Sequence, residues 1–174
     1  MVRPEDMTEN GFMVDGDWIE SKDQDPSGDI RLLQLADIGD GYFINKSNRF
    51  VNSATAQRLK CTYLKKNDIL IARMPDPIGR ACSFPFDAEN RFITVVDVCV
   101  MRVKKGIDYK YVTYAINSPD FRKKIESHIT GTTRLRISGK KLKDLQIPLP
   151  PLETQKRIAA ILDKADALRR KDQE

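Results

Sequence analysis

Short apolar runs bounded by turn residues alternate along this chain with segments whose apolar positions recur every three or four residues. The clearest run is "NDILIAR". Ile69, Leu70 and Ile71 enter through Asn67 and Asp68, and the following "MPDPIG" prevents continuation with Pro75, Pro77 and Gly79, so the stretch predicts a strand. "RFITVVDVCVMRV" is rich in β-branched residues and predicts a second strand region, paired in the same sheet. "IRLLQLADI" suits a buried strand or a short helix, because Leu32, Leu33, Leu35 and Ile38 satisfy both periods. Gly39 to Gly41 close it with a turn, and "YFI" begins a further strand. Helical spacing runs through "NSATAQRLKCTYLKK", where Ala56, Leu59, Tyr63 and Leu64 share a face and Asn52 or Ser53 caps. "DYKYVTYAINSPDFRKKIESHI" predicts two helices divided at Ser118-Pro119, with Ser118 as the cap. "TGTTRLRISGKKLKDLQIPLP" then reads as a Gly/Thr loop, a short basic strand, a turn at Ser138-Gly139 and a further strand or short helix. The pattern is that of an α/β domain with a mixed sheet over residues 1–147.

Residues 148–174 form a separate unit in this reading. Pro148, Pro150 and Pro151 make an extended spacer, and a helix follows from Leu152 to Lys171, about 30 Å long. Glu153 suits the positive end of its dipole, and Arg169, Arg170 and Lys171 suit the other. Ile158, Ile161, Ala165 and Leu168 step by three and four, with Leu162 beside them, which is the spacing of a coiled-coil seam. The same spacing also serves an amphipathic helix folded back on its own domain; the stiff spacer favours a seam left for a partner.

Composition narrows the function. Cys61, Cys82 and Cys99 are odd in number and unpaired in spacing, so they predict buried thiols in a reducing cytoplasm, not a disulfide framework or a zinc site. The single histidine, His128, cannot supply a metal cluster. No apolar run reaches membrane-span length and the N-terminus is acidic, so neither a membrane segment nor a signal peptide is expected, and the expected location is cytoplasmic. Residues 1–30 hold nine acids and two bases, whereas residues 102–143 hold twelve bases and three acids. That density is the electrostatic footprint of a polyanion binder, and of solvated helices equally.

Motifs for catalysis are missing. There is no phosphate-cradling GxxxxGK[ST], no GxSxG and no HExxH; "DPIG" lacks the aromatic of a base methyltransferase, and Pro75-Asp76 lacks the second-strand lysine of a paired-carboxylate nuclease. No catalytic residue, metal or cofactor is therefore assigned, and a binding module is expected. Three loops offer side chains for nucleic acid. Asn45, Lys46, Asn48 and Arg49 lie in "NKSNRF"; Arg73 and Arg80 flank the proline-stiffened "ARMPDPIGR"; Thr132, Thr133, Arg134, Arg136, Lys140 and Lys141 lie in "TGTTRLRISGKK". Asparagine suits adenine, arginine suits guanine, and hydroxyls and lysines suit phosphate.

The string "PLPPLE-x-Q-x-RI" at Pro148 to Ile158, following "GTTRLRISGKKLKDLQ" and preceded upstream by "NDILIAR" and "YVTYAINSPDFRKKI", resembles the specificity subunit of type I restriction-modification systems. Thr154 stands where the family usually has Glu. The resemblance covers nearly the whole chain from "IRLLQLADIGDG" onward. It implies a target recognition domain that reads one half of a bipartite site on double-stranded DNA in the major groove, without catalysis. In the family two such domains are separated by two long helices, paired as an antiparallel coiled coil, that set the half-site spacing and dock methyltransferase subunits; the restriction subunit acts through that complex. The resemblance then implies a half-subunit, natural or truncated, whose helix pairs with a second copy as a homodimer or with a second half. An assembly adaptor that no longer selects a sequence, and a nuclease of unfamiliar motif, are the competing readings.

Overall fold

The computed structural model describes residues 1–172. In chain order its regular elements are β1 (Thr8–Asp15), β2 (Ile30–Leu33), β3 (Phe50–Val51), α1 (Ser53–Arg58), β4 (Ile69–Ala72), β5 (Ala81–Ser83), β6 (Phe92–Thr94), β7 (Val98–Val103), α2 (Tyr109–Ile116), α3 (Pro119–Glu126), α4 (Gly139–Asp144) and α5 (Leu152–Lys171). One sheet has the order β1-β7-β4-β5 and is antiparallel throughout. The other has the order β3-β2-β6, with β3 antiparallel and β6 parallel to β2.

Alternation along β4 and β7 explains the layers. Ile69 and Ile71, opposite Met101 and Cys99, face α2 and α3 and pack with Val112, Ile116, Phe121 and Ile125. Leu70 and Ala72, opposite Val100 and Val98, point the other way, toward Leu33 and Phe84. Around Phe84 the rings of Phe43, Phe86 and Phe92 close edge to face, while Phe86 and Phe92 stack with centroids 5.3 Å apart. This aromatic layer joins the two sheets. Ile30, Leu32, Val51 and Ile93 fill the outer face of the smaller sheet, with Ala56 of α1 packed over them. Each buried strand therefore carries apolar residues on both faces, which is why periodicity of two is absent from its sequence.

The β-branched run "RFITVVDVCVMRV" divides between the sheets. Phe92–Thr94 pairs with β2 and only Val98–Val103 pairs with β4, because a tight turn, Val98 N–H to the Val95 carbonyl at 3.0 Å, separates them. "IRLLQLADI" is both of its alternatives in succession: β2, then a single 3-10 turn at Leu35–Asp37. "YFI" forms one isolated bridge, Phe43 with Ile38, and no strand. Helix α1, capped by Asn52, ends at Arg58 instead of continuing through Lys66; Lys60 is left-handed at φ +53°, and the Asp17 carboxylate takes the Thr62 N–H at 3.0 Å. Ser138 is not a turn residue but the cap of α4, accepting from the Lys141 N–H.

Helix α5 begins after Pro151, and its first turns pack on α2. Gln155 is 2% exposed and bonds in two directions. Its Oε1 accepts from the Asp108 N–H at 2.9 Å and its Nε2 donates to the Pro150 carbonyl at 2.8 Å, so one side chain joins spacer, helix and domain. Farther along, Asp163 accepts from the Tyr114 hydroxyl at 2.7 Å and from Lys110 at 2.9 Å. Hence α5 lies against its own domain on the Gln155, Ala159, Asp163 face. The seam is a different face: Ile158 reaches the core, while Ile161, Leu162, Ala165 and Leu168 are exposed, Ile161 at 61% and Leu168 at 65%.

Two stability measurements follow. Replacing Gln155 with Leu leaves a part-buried N–H and a part-buried carbonyl without this partner, and is expected to lower the unfolding free energy by about 1–3 kcal/mol in urea titrations. Asp17 supplies a pH dependence. Burial pushes its carboxyl up to about 6 from an ordinary 3.8, against the lowering effect of the Thr62 N–H. Folding raises this pKa, so the contribution to stability is complete below about pH 4 and is lost as pH rises through 6. Asp17→Asn, which retains an acceptor for Thr62, is expected to be more stable than the native chain at pH 7, with the difference vanishing toward pH 4.

Candidate nucleic-acid interface

The loop between the 3-10 turn and β3 has no regular structure, yet one side chain organises it. Asp37 is fully buried and accepts from the N–H groups of Gln34 at 2.7 Å, Lys46 at 2.7 Å and Ser47 at 2.8 Å, and also from the Ser47 hydroxyl. Arg31, reaching up from β2, pairs with the same carboxylate at 3.4 Å and donates its other terminal nitrogen to Asn45 Oδ1. The Asp37 carbonyl accepts from the Ile44 N–H at 2.9 Å. The chain from Ile44 to Ser47 is thus wrapped around one residue, with Asn45 left-handed at φ +59°, a conformation that asparagine tolerates. Asn45, Lys46, Asn48 and Arg49 all present their side chains to solvent, Arg49 braced by Gln24 Oε1 at 3.4 Å.

The second predicted loop is corrected by the structure. Arg73 is 6% exposed: it donates to the Val96 carbonyl at 2.7 Å and the Ile137 carbonyl at 3.2 Å, and its Nε lies 3.0 Å from Asp15 Oδ1 as an ion pair without hydrogen-bond alignment. Arg80 is 7% exposed and donates to the carbonyls of Ile38 at 2.7 Å, Met74 at 2.9 Å and Leu35 at 2.9 Å. Burial lowers its pKa from the ordinary value, with acids nearby opposing. Both guanidiniums serve as internal ties between loops, so neither belongs to a surface for DNA. Their positions beside prolines and a glycine gave no sign of this, because the carbonyls they bind are remote in sequence.

The third loop is a narrow hairpin. Thr130 and Arg136 exchange backbone bonds at 2.9 and 3.0 Å, and Gly131 turns the chain at φ +100°, where an added Cβ would stand 2.3 Å from the Arg134 carbonyl. Thr132, Thr133, Arg134 and Arg136 project into solvent, and so do Lys140 and Lys141 on α4. Arg134 lines an open cleft of about 850 Å³ together with Trp18, Gln34, Leu35 and Ala36, the last three being the turn that leads into Asp37. The third loop and the 3-10 turn that leads into the first loop therefore border one cleft. Asp17, Glu20, Lys22 and Asp97 line it as well, so three acids face two bases there.

Sequence reasoning passed over Trp18, Arg31 and Asp37. Trp18 is 70% exposed at the cleft; Arg31 and Asp37 set the geometry of the first loop. Only Asp37 left a signal: it stands three residues after Gln34, the capping-box interval, inside an otherwise apolar run. His128 bonds its own helix end through the Lys124 carbonyl. Burial raises the thiol pKa of Cys61 to about 11 and those of Cys82 and Cys99 to about 12, which makes them poor nucleophiles. Among the described residues no group of three His, Cys, Asp or Glu is placed to hold a metal, and no helix is long and apolar enough to cross a membrane.

With this geometry in place, comparison with known proteins is informative. The family model described as type I restriction modification DNA specificity domain matches residues 7–174. A putative type I restriction enzyme specificity subunit of Haemophilus influenzae is 30% identical over 147 residues, covering 82% of this chain and 34% of that protein. The chain spans about a third of the length of that curated relative. Two solved structures share the fold. A chain from a study of complex assembly and conformational transition of the type I R-M system aligns with TM-score 0.68 at 21% identity, over 96% of this chain and 38% of the other. The HsdS subunit from Thermoanaerobacter tengcongensis aligns with TM-score 0.65 at 20% identity, over 96% and 37%. A family match running from the edge of β1 through the whole of α5, on this mixed α/β fold with its terminal helix, makes the chain a member of the type I restriction modification DNA specificity domain family.

Proposed function

We propose that this chain is the sequence-reading unit of a type I restriction-modification specificity subunit. In this reading residues 1–147 contact one half of a bipartite duplex site, and residues 148–174 carry the helix that pairs with a second helix and docks the methyltransferase subunit, through which the restriction subunit is directed. The unit selects DNA and leaves catalysis to its partners.

The observation that carries the reading is a pair of exposed, donor-rich loops, each held by contacts that owe nothing to a ligand. Asp37 holds Lys46 and Ser47, Arg31 holds Asn45, and the Thr130–Arg136 bridge closes the loop that carries Arg134. Loops ordered in advance lose little entropy on binding, and side chains at fixed positions can discriminate between base edges. Arg73 and Arg80 lie outside the proposed surface. For the helix, the exposed Ile161, Leu162, Ala165 and Leu168 support pairing with a second copy or a second half-subunit, since the domain already occupies the opposite face of α5.

The test is DNA affinity as a function of salt. Arg134→Glu with Arg136→Glu is expected to weaken binding to every duplex and to reduce the slope of log K against log salt by about one for each phosphate that is no longer neutralised. Unchanged affinity in the double variant removes the hairpin from the interface. A native chain that shows no salt-dependent binding, even with a methyltransferase subunit present, supports the assembly adaptor instead, and cleavage of duplex by the purified chain with magnesium supports a nuclease.

A further inference from the structure

We infer that Asn45 reads a base edge as a hydrogen-bond donor, and that Arg31 is the positioning residue that makes it one. The inference rests on the DNA-reading function above and goes beyond it to a chemical preference at one position of the site.

An asparagine side chain is normally ambivalent: its amide offers an acceptor and two donors, and paired reading of adenine uses both ends, Oδ1 accepting from N6 and Nδ2 donating to N7. Here the ambivalence is removed. Arg31 Nη1 donates to the Asn45 amide, and a guanidinium has donors only, so the atom facing it must be oxygen. The orientation follows from chemistry alone. Arg31 cannot easily move away, since its backbone is held in β2 between Phe50 and Phe92, and its Nη2 is paired with the buried Asp37. Asn45 is equally constrained, because the two N–H groups that follow it are bound to the same carboxylate at 2.7 and 2.8 Å.

With the guanidinium on its oxygen, Asn45 turns Nδ2 outward. The oxygen's remaining lone pair lies beside a cation, which disfavours approach of a second donor such as adenine N6 or cytosine N4. Withdrawal of electron density through the amide also makes the Nδ2 hydrogens better donors. The edges that match are acceptors: guanine O6 and N7, thymine O4 and adenine N7, whereas cytosine, which offers only its N4 donor, has none. One position of the half-site is thereby closed to cytosine.

The experiment is selection from a random duplex pool at moderate salt, with a methyltransferase subunit present, followed by sequencing of the bound fraction for the native chain and for Asn45→Asp. Aspartate keeps the bond to Arg31 and tolerates the same left-handed backbone, but it presents only acceptors. The expected result is a native motif without cytosine at one position, shifted about tenfold or more toward cytosine there in Asn45→Asp, with the other positions unchanged. A motif that Asn45→Asp leaves unaltered, or one whose affected position is cytosine in the native chain, overturns the inference while leaving the DNA-reading function intact. Absence of any motif for the native chain defeats that function, and the inference falls with it.

Discussion

A charged side chain without solvent must be surrounded by partners, and in this protein those partners are the backbones of irregular segments. Asp37 binds the turn at Gln34 and the loop at Lys46 and Ser47; Asp68 binds the Lys65 N–H and the Arg102 guanidinium; Arg73 binds the carbonyls of Val96 and Ile137; Arg80 binds those of Leu35, Ile38 and Met74. Each is 7% exposed or less. Removing one member of such a set leaves uncompensated charge or unpaired carbonyls, which typically costs several kcal/mol. The loops are consequently as well determined as the strands, although they have little regular hydrogen bonding of their own.

This constraint also decides what the surface can offer. Long basic side chains are used internally where remote carbonyls surround them, as at Arg73 and Arg80, and externally where a carboxylate beneath the loop has already satisfied the backbone, as at Lys46. Arg102 shows an intermediate case: it pairs with Asp68 at 2.8 Å and covers the Phe12 ring at 4.0 Å, sealing the edge of the aromatic layer. The count of basic residues is therefore a poor measure of the surface available to a polyanion. What matters is which of them lack an internal task.

Helix α5 divides its labour by face. Gln155, Ala159 and Asp163 fasten it to α2, and Arg170 lies 5.1 Å from the Tyr42 ring near the far end. Of the apolar seam, Ile161, Leu162, Ala165 and Leu168 stay in solvent while Ile158 packs on the domain. The two readings of the spacing, a helix folded back and a seam left open, are thus compatible, because a helix of this length has more than one usable face. The glutamine of the "PLPPLE-x-Q-x-RI" string acquires a physical role in the same contact: it is the residue whose amide can donate to the spacer and accept from the domain at once.

Local order was legible in the chain itself. The strand at Ile69–Ala72, the break at Ser118-Pro119 with its serine cap, and the helix from Leu152 to Lys171 all follow from periodicity, caps and prolines, which act within a few residues. The family string was legible for the same reason, being contiguous. What only the tertiary structure decided depends on partners distant in sequence. The splitting of "RFITVVDVCVMRV" between two sheets is set by β2 on one side and β4 on the other. The withdrawal of Arg73 and Arg80 from the surface is set by carbonyls up to 64 residues away. The shape of the Asn45 loop is set by a carboxylate and a guanidinium that precede it by eight and fourteen positions. A side chain's chemistry is written in its own residue, but whether that chemistry faces inward or outward depends on which remote groups the fold brings within bonding distance.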